Sequence, residues 1–393
     1  MPSMKTFGIG FAFLLCFSPF ALGQGLVLEQ EDFNYEVGTD THFHHYTNLD
    51  LAGSLLPFDP QQSFWDFSSL AAGGDARVQL VDPATTPYAG SFPGATGTTV
   101  QNVPGTPTAY LYEQSSGGLH EVLGFGTYLF PFNVTAVYNP PWEVYSFPMA
   151  IGDTSSQFIQ YSYRLGLITV NVNESHNYQV VAEGMVKVPG FPYAMPCLVM
   201  HEYVTIQDNF GTNDNFHGYY WLVADGFSGA NGVAAVQSNT NAGLDFTVCR
   251  NAFFLGQSTL QPEGTSLQAD SFGLYQSTGG IIQFELDAGT QNAGRPYYLL
   301  DSGSGTWPGT VLPGGAVLEL NWDFVTDHLM TYLNGSMYQA FRGNLDGNGK
   351  ATAILDTGGS LPPGISGMTI YFAFTTENPY DFQSNVVLVK ILP

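Results

Sequence analysis

Two histidines two residues apart, His42 and His44, stand in the stretch Thr41-His42-Phe43-His44-His45-Tyr46. On a strand such positions share a face, so the pair could clamp one metal ion. Asp50 is a nearby carboxylate, and His120, His176, His201 or His217 would have to complete the sphere. The same residues also suit a polar, aromatic-flanked edge strand that carries no ion, the plainer of the two readings. A second oxygen-rich stretch runs from Asp208 to Asn215, where Asp208 and Asp214 are candidate Ca²⁺ ligands. Asp346-Gly347-Asn348-Gly349 is a weaker one. Both lack the spacing and distal Glu of an EF-hand, and Asn and Asp often serve turns instead. Ca²⁺ is therefore the one cofactor the chain suggests.

Hydrolysis of a glycosidic bond needs two carboxylates, and Glu143, Glu183, Glu202 and Asp225 lie near aromatic strand segments. No Gly-x-Ser-x-Gly elbow and no His-Glu-x-x-His motif occurs. Trp142, Tyr220, Trp221 and Trp307 could stack on sugar rings as glycan-binding residues, or fill cores. The catalytic residues are not identified by any of these patterns.

The composition limits where such chemistry would take place. Lys5, an apolar run from Phe7 to Phe20 and the small residues Ala21 to Gly23 have the three parts of a secretory signal, with residues 1–23 removed. The expected location is extracellular or at the cell surface, with no membrane-spanning segment in the mature chain. The formal charge of −24 repels phosphate backbones and excludes nucleic acid as a partner class. Extracellular glycans or other surface proteins remain as partners. Of three cysteines, Cys16 leaves with the signal, so Cys197 and Cys249 either form a disulfide or stay as buried thiols.

The elements that must position these residues are strands. Short runs of period two, punctuated by Gly and Pro, and no sustained helical spacing predict an all-β chain. A hairpin is expected from Phe158 to Val172, turned at Arg164-Leu165-Gly166, and another around Asp346 to Gly349. The expected organisation is a β-sandwich or jelly-roll-like domain over residues 24–255, a linker at 256–271, and a smaller immunoglobulin-like sandwich over 272–393.

The C-terminal block carries Leu286-Asp287-Ala288-Gly289, Ala293-Gly294-Arg295, Leu320-Asn321-Trp322-Asp323 and Gly343 to Gly349 in order. It resembles a small β domain that ends many secreted proteins of large-genome aquatic bacteria, which implies an attachment or accessory role without catalysis. Trp65-Asp66-Phe67-Ser68-Ser69-Leu70 and Val81-Asp82-Pro83-Ala84 make the N-terminal half similar to uncharacterised exported bacterial β proteins. That resemblance brings no known active site. Trp65 is expected as a core plug and Asp66 as a turn acceptor. The reading that follows is a secreted, non-enzymatic surface or matrix protein with an interaction role, glycan binding included. The alternative is a secreted, glycan-directed hydrolase with its site on the N-terminal domain.

Overall fold

A computed structural model describes residues 25–33, 36–51, 62–224, 232–259 and 266–393. Residues 1–23, expected as a signal segment, and Asp225 lie outside the described residues. The first fifteen strands are β1 (Val27–Leu28), β2 (Asp40–Asp50), β3 (Phe64–Asp66), β4 (Gly74–Val81), β5 (Gly97–Asn102), β6 (Ala109–Ser116), β7 (Leu119–Leu129), β8 (Phe132–Ser146), β9 (Met149–Ala150), β10 (Thr154–Leu165), β11 (Ile168–Lys187), β12 (Met195–Asp208), β13 (Asn213–Leu222), β14 (Ala234–Ser238) and β15 (Val248–Ser258). The chain is all-β, as its period-two runs require.

The N-terminal half departs from the expected two-sheet sandwich. Twelve strands form one antiparallel ring in the order β10-β8-β7-β6-β5-β4-β2-β15-β14-β13-β12-β11, and β11 pairs back onto β10. Short turns join most neighbours, and β11 is twenty residues long, so strands pair with sequence neighbours instead of crossing between layers. Closure leaves the ring without edges. The expected hairpin is β10 and β11, turned at Gly166, whose φ of 63° lies in the left-handed region.

Alternation sets the two faces. On β11, Val170, Val172, His176, Tyr178 and Val180 are buried, whereas Asn171, Asn173, Asn177 and Gln179 are exposed. A bulge between Val180 and Ala182 shifts this phase. Beyond it Ala182 and Val186 join a second apolar cluster, while Met185 stays with the first. β3 joins the sheet as a thirteenth strand beside the end of β11 and parallel to it, with Val186 opposite Trp65, and its Trp65 and Phe67 side chains enter this second cluster. Trp65 and Phe67 are fully buried and meet Trp221 edge-on at 6.2 and 5.0 Å between ring centroids. Gly184 permits this approach, since a Cβ there would lie 2.2 Å from the Ser63 carbonyl oxygen. Trp65 is thus the core plug its flanks suggested, and Asp66 accepts the Ser68 amide at 2.9 Å.

The cysteine bridge is not formed. Cys197 on β12 and Cys249 on β15 are both buried free thiols. Three strand spacings separate them in the ring, about 14 Å of sheet, whereas a disulfide needs Cα atoms within about 7 Å. Burial, and secondarily the charge of Glu183, pushes the Cys197 thiol well up; burial and Asp50 push Cys249 up to about 12.

The crossing to the second unit is narrower than 256–271, because β15 runs to Ser258 and a strand resumes at Leu267. Four strands, in the order Leu267–Ala269, Ile281–Asp287, Lys350–Asp356 and Tyr338–Gln339, make one sheet. Five more, Gly273–Tyr275, Val387–Leu392, Thr369–Thr376, Pro296–Ser302 and Arg342–Asn344, make the other. Phe284 of the first sheet meets Phe372 of the second at 4.8 Å, so the two share one core. The Asp346–Gly349 turn exists, with the Asp346 carboxylate accepting the amides of Asn348 and Lys350. It is no hairpin turn, however, because the strands on either side belong to different sheets. One short helix, Phe324–Thr331, is capped by the Asp323 side chain.

The two units are tied directly. Glu183 accepts the Leu26 amide at 2.8 Å through Oε2 and the Tyr371 hydroxyl at 2.5 Å through Oε1. Phe64 packs on Phe272 at 4.8 Å.

Candidate ligand cavity

The ring is hollow on its inner side. A cavity of about 650 Å³ is lined by side chains from β2, β5, β6, β8, β11, β12, β13, β14 and β15, together with the β5–β6 loop Val103 to Thr106. Only the lumen can gather residues from so many ring positions. Its apolar wall includes Trp142, Tyr178, Tyr220 and Phe253, with Met200 and Leu111. Its polar groups are His45, Thr47, Gln101, Gln237, Asn251 and Glu202. A pocket of this size, mostly apolar with a few placed polar groups, is the usual form of a small-molecule site.

The polar groups form strings along the wall. His45 lies stacked on Phe253, its ring centroid 4.7 Å away, with Nε2 3.4 Å from Asn251 Oδ1. Asn251 donates to Gln237 at 3.3 Å. Tyr220 donates to Glu202 Oε2 at 2.6 Å, and Glu202 Oε1 lies 2.7 Å from His176 Nδ1. The other ring nitrogen of His176 faces Glu174 at 3.3 Å, and Tyr161 donates to the second oxygen of Glu174 at 2.6 Å. Trp142 lies against His176 with the rings tilted by 30° and their centroids 4.7 Å apart, and donates to the Tyr178 hydroxyl at 2.5 Å.

This arrangement sets the charges. Burial opposes a charge on His176, but hydrogen bonds and the charges of Glu174 and Glu202 outweigh it and push the imidazole up to about 9. At neutral pH it is therefore a buried cation between two carboxylates. Burial, reinforced by Glu202, pushes the Tyr220 and Tyr178 phenols well up, so both stay protonated donors. Both oxygens of Glu202 are thus engaged by the protein. A ligand in the cavity meets aromatic faces and amides, with the carboxylate held back as part of the wall.

The residues singled out from sequence distribute unevenly around this cavity. Trp142 and Tyr220 line it, and so does Glu202. Trp221 does not: it is fully buried on the opposite face against Trp65, so it offers no glycan platform. Trp307, 41 % exposed, belongs to the second unit and donates to Glu29 at 2.7 Å. Glu183 ties the units together, and the Glu143 amide is held by Gln157. His42 faces Asp75 at 2.9 Å and Asp40 at 3.7 Å, and Asp40 also grips Arg77. His44 abuts Gly256. Asp208 turns back on its own loop, accepting the amides of Phe210 and Thr212 and the Thr212 hydroxyl, while Asp214 lies on β13. Among the described residues no three His, Cys, Asp or Glu side chains converge as a metal site.

Glu174, Tyr178, Gln237, Asn251 and Phe253 were not singled out from sequence, and His176, offered only as a further ligand for His42 and His44, stands instead in the cavity wall. One signal was available. Glu174, His176 and Tyr178 share the strand parity of Val170, Val172 and Val180, which places ionisable groups on the face that alternation assigns to the interior. No family model matches the chain, and no curated protein or solved structure matches it either.

Proposed function

We propose that the chain is an exported binding protein whose closed sheet holds a small amphiphilic molecule, with the second unit as an immunoglobulin-like attachment domain. The observation that carries this reading is the lumenal cavity itself, with Trp142, Tyr178, Tyr220 and Phe253 for an apolar body and Gln101, Gln237 and Asn251 for a polar end. Its volume lies within the range of drug-sized ligand sites. A catalytic reading has less support, because the Glu174–His176–Glu202 group is closed by its own hydrogen bonds.

A second reading, a neutral mono- or disaccharide, is favoured by one observation: Trp142 and Tyr220 stand together with three side-chain amides, the combination that stacks on CH faces and bonds hydroxyls. The experiment is displacement of a neutral naphthylamine fluorophore from the mature chain by medium-chain alcohols and acyl amides, beside a panel of neutral sugars. Displacement by the first class at micromolar concentration supports the amphiphile, and displacement only by sugars supports the second reading. A fluorophore that never binds refutes both.

A further inference from the structure

Large exposed apolar side chains are not spread evenly over the ring. Because its neighbours are all antiparallel, the β5–β6, β7–β8, β10–β11, β12–β13 and β14–β15 connections lie at one end, which forms a rim. Phe130 is 87 % exposed at the β7–β8 turn, Leu167 is fully exposed at the β10–β11 turn, and Phe210 is 62 % exposed at the β12–β13 turn. Leu244 and Val248, in and after the β14–β15 connection, are exposed as well. The tips are neighbours in space: a Cβ on Gly166 would meet the Phe132 ring at 3.0 Å, and the Asn209 side chain accepts the Asn171 amide at 2.8 Å.

Below the tips the outer wall turns polar. Ser156, Gln160 and Ser162 on β10, and Asn171, Asn173 and Asn177 on β11, face outward and are exposed. That is the reverse of a lipid-facing barrel wall. Phe158 on β10 and Val137 on β8 are exposed on the wall, but the most exposed apolar side chains of the ring, Phe130, Leu167 and Phe210, stand at protruding tips that a flat, soft surface can receive. The arginines point the same way. Arg77 is paired with Asp40, but Arg164 and Arg250 are exposed and make no ion pair within 4.0 Å among the described residues. Both lie next to the rim, on β10 and β15, within about 10 Å of the tips at about 3.3 Å per residue. In a chain of net charge −24, its free arginines sit where headgroup phosphates would lie if the tips entered a lipid layer. Asp208 at the β12–β13 turn and Asp245 beside Leu244 add negative charge to the rim, which selects a zwitterionic over an anionic surface.

We infer that this rim docks on a zwitterionic phospholipid surface, with Phe130, Leu167 and Phe210 inserted among the headgroups and Arg164 and Arg250 on the phosphates. The cavity loop Val103 to Thr106 is at the same end, so docking brings the lumen to the lipid. The inference stands on the rim alone and does not require the ligand reading.

The test is flotation of the mature chain with phosphatidylcholine vesicles at physiological ionic strength. Wild type floats with the vesicles, the triple variant F130S/L167S/F210S loses about tenfold or more in partitioning, and R164Q/R250Q loses a smaller part. Single variants L167S and F210S, at exposed turns that tolerate substitution, cover the case in which the triple variant fails to fold. Fluorophore binding to the cavity is expected unchanged in all of them, which separates failure of docking from failure of the ligand reading. Absence of wild-type flotation, or flotation unaltered by the tip variants, overturns the inference. So does a wild-type dimer that the tip variants dissolve, since the rim would then cover a second copy.

Discussion

Removing the His176 imidazole gives the sharpest energetic consequence of the cavity wall. His176 is 4 % exposed and Glu202 3 %, with 2.7 Å between them. The imidazole is raised from an ordinary 6.5 to about 9 in the folded chain, so the folded state holds a proton that the unfolded state releases across that interval. The sign follows. Its contribution is complete below pH 6.5 and is lost as pH rises through about 9. At about 1.4 kcal/mol per pH unit, the loss amounts to about 3 kcal/mol. Guanidinium unfolding of wild type and His176→Gln at pH 6.5, 7.5 and 9 measures it. Wild-type stability is expected to fall by about 3 kcal/mol more than that of the variant over this range, the variant cancelling contributions from the buried thiols. Equal slopes in the two proteins would refute the charged-wall reasoning.

Glu202→Ala leaves the His176 cation with Glu174 alone and the Tyr220 hydroxyl without its acceptor, and is expected to cost about 1–3 kcal/mol in chemical unfolding; no measurable loss argues against the pair. On the acid side, burial lowers His120 and, with help from His217, His201 to about 4. Both favour the neutral folded form, so stability should drop as pH falls from 6.5 towards 4, and less steeply in His201→Gln. Gly184→Val drives a side chain into Ser63 and Trp65 and should release β3, read as a red shift of Trp emission and a loss of about 2 kcal/mol or more. Two thiols should resist labelling in buffer, react fully in denaturant, and leave the melting temperature indifferent to reductant.

The legible part of the fold was whatever depends on local alternation. The β10–β11 hairpin, the strand Ile281–Asp287 and the burial of Trp65 all follow from period-two patterns and turn residues. Ring closure was not legible, because it rests on β10 meeting β11 and β8 at once, and no local pattern reports which distant strands will pair. The same gap misled the turn at Asp346, whose residues specify a reversal but not whether the next strand returns to the same sheet. For the site, Trp142 and Tyr220 could be named from side-chain type, while Trp221 next door was misassigned. Adjacent strand residues face opposite ways, so a Tyr-Trp pair can give only one member to a lumen. Glu174 escaped notice, and His176 was given a ligand's role instead of a wall's, because their significance lies in an interior parity, which matters only once the sheet is known to close.

Ligand binding in the lumen is the central property of the proposed function, and filling the lumen is its direct test. Ala235 lines the cavity and is buried, with Tyr220 and Phe253 near it on the wall. Calorimetric titration of wild type and Ala235→Trp with the best-displacing amphiphile should show one site per chain in the first. The second should lose at least about tenfold in affinity while unfolding cooperatively. Undiminished binding to a folded Ala235→Trp chain would place the ligand elsewhere and contradict the account.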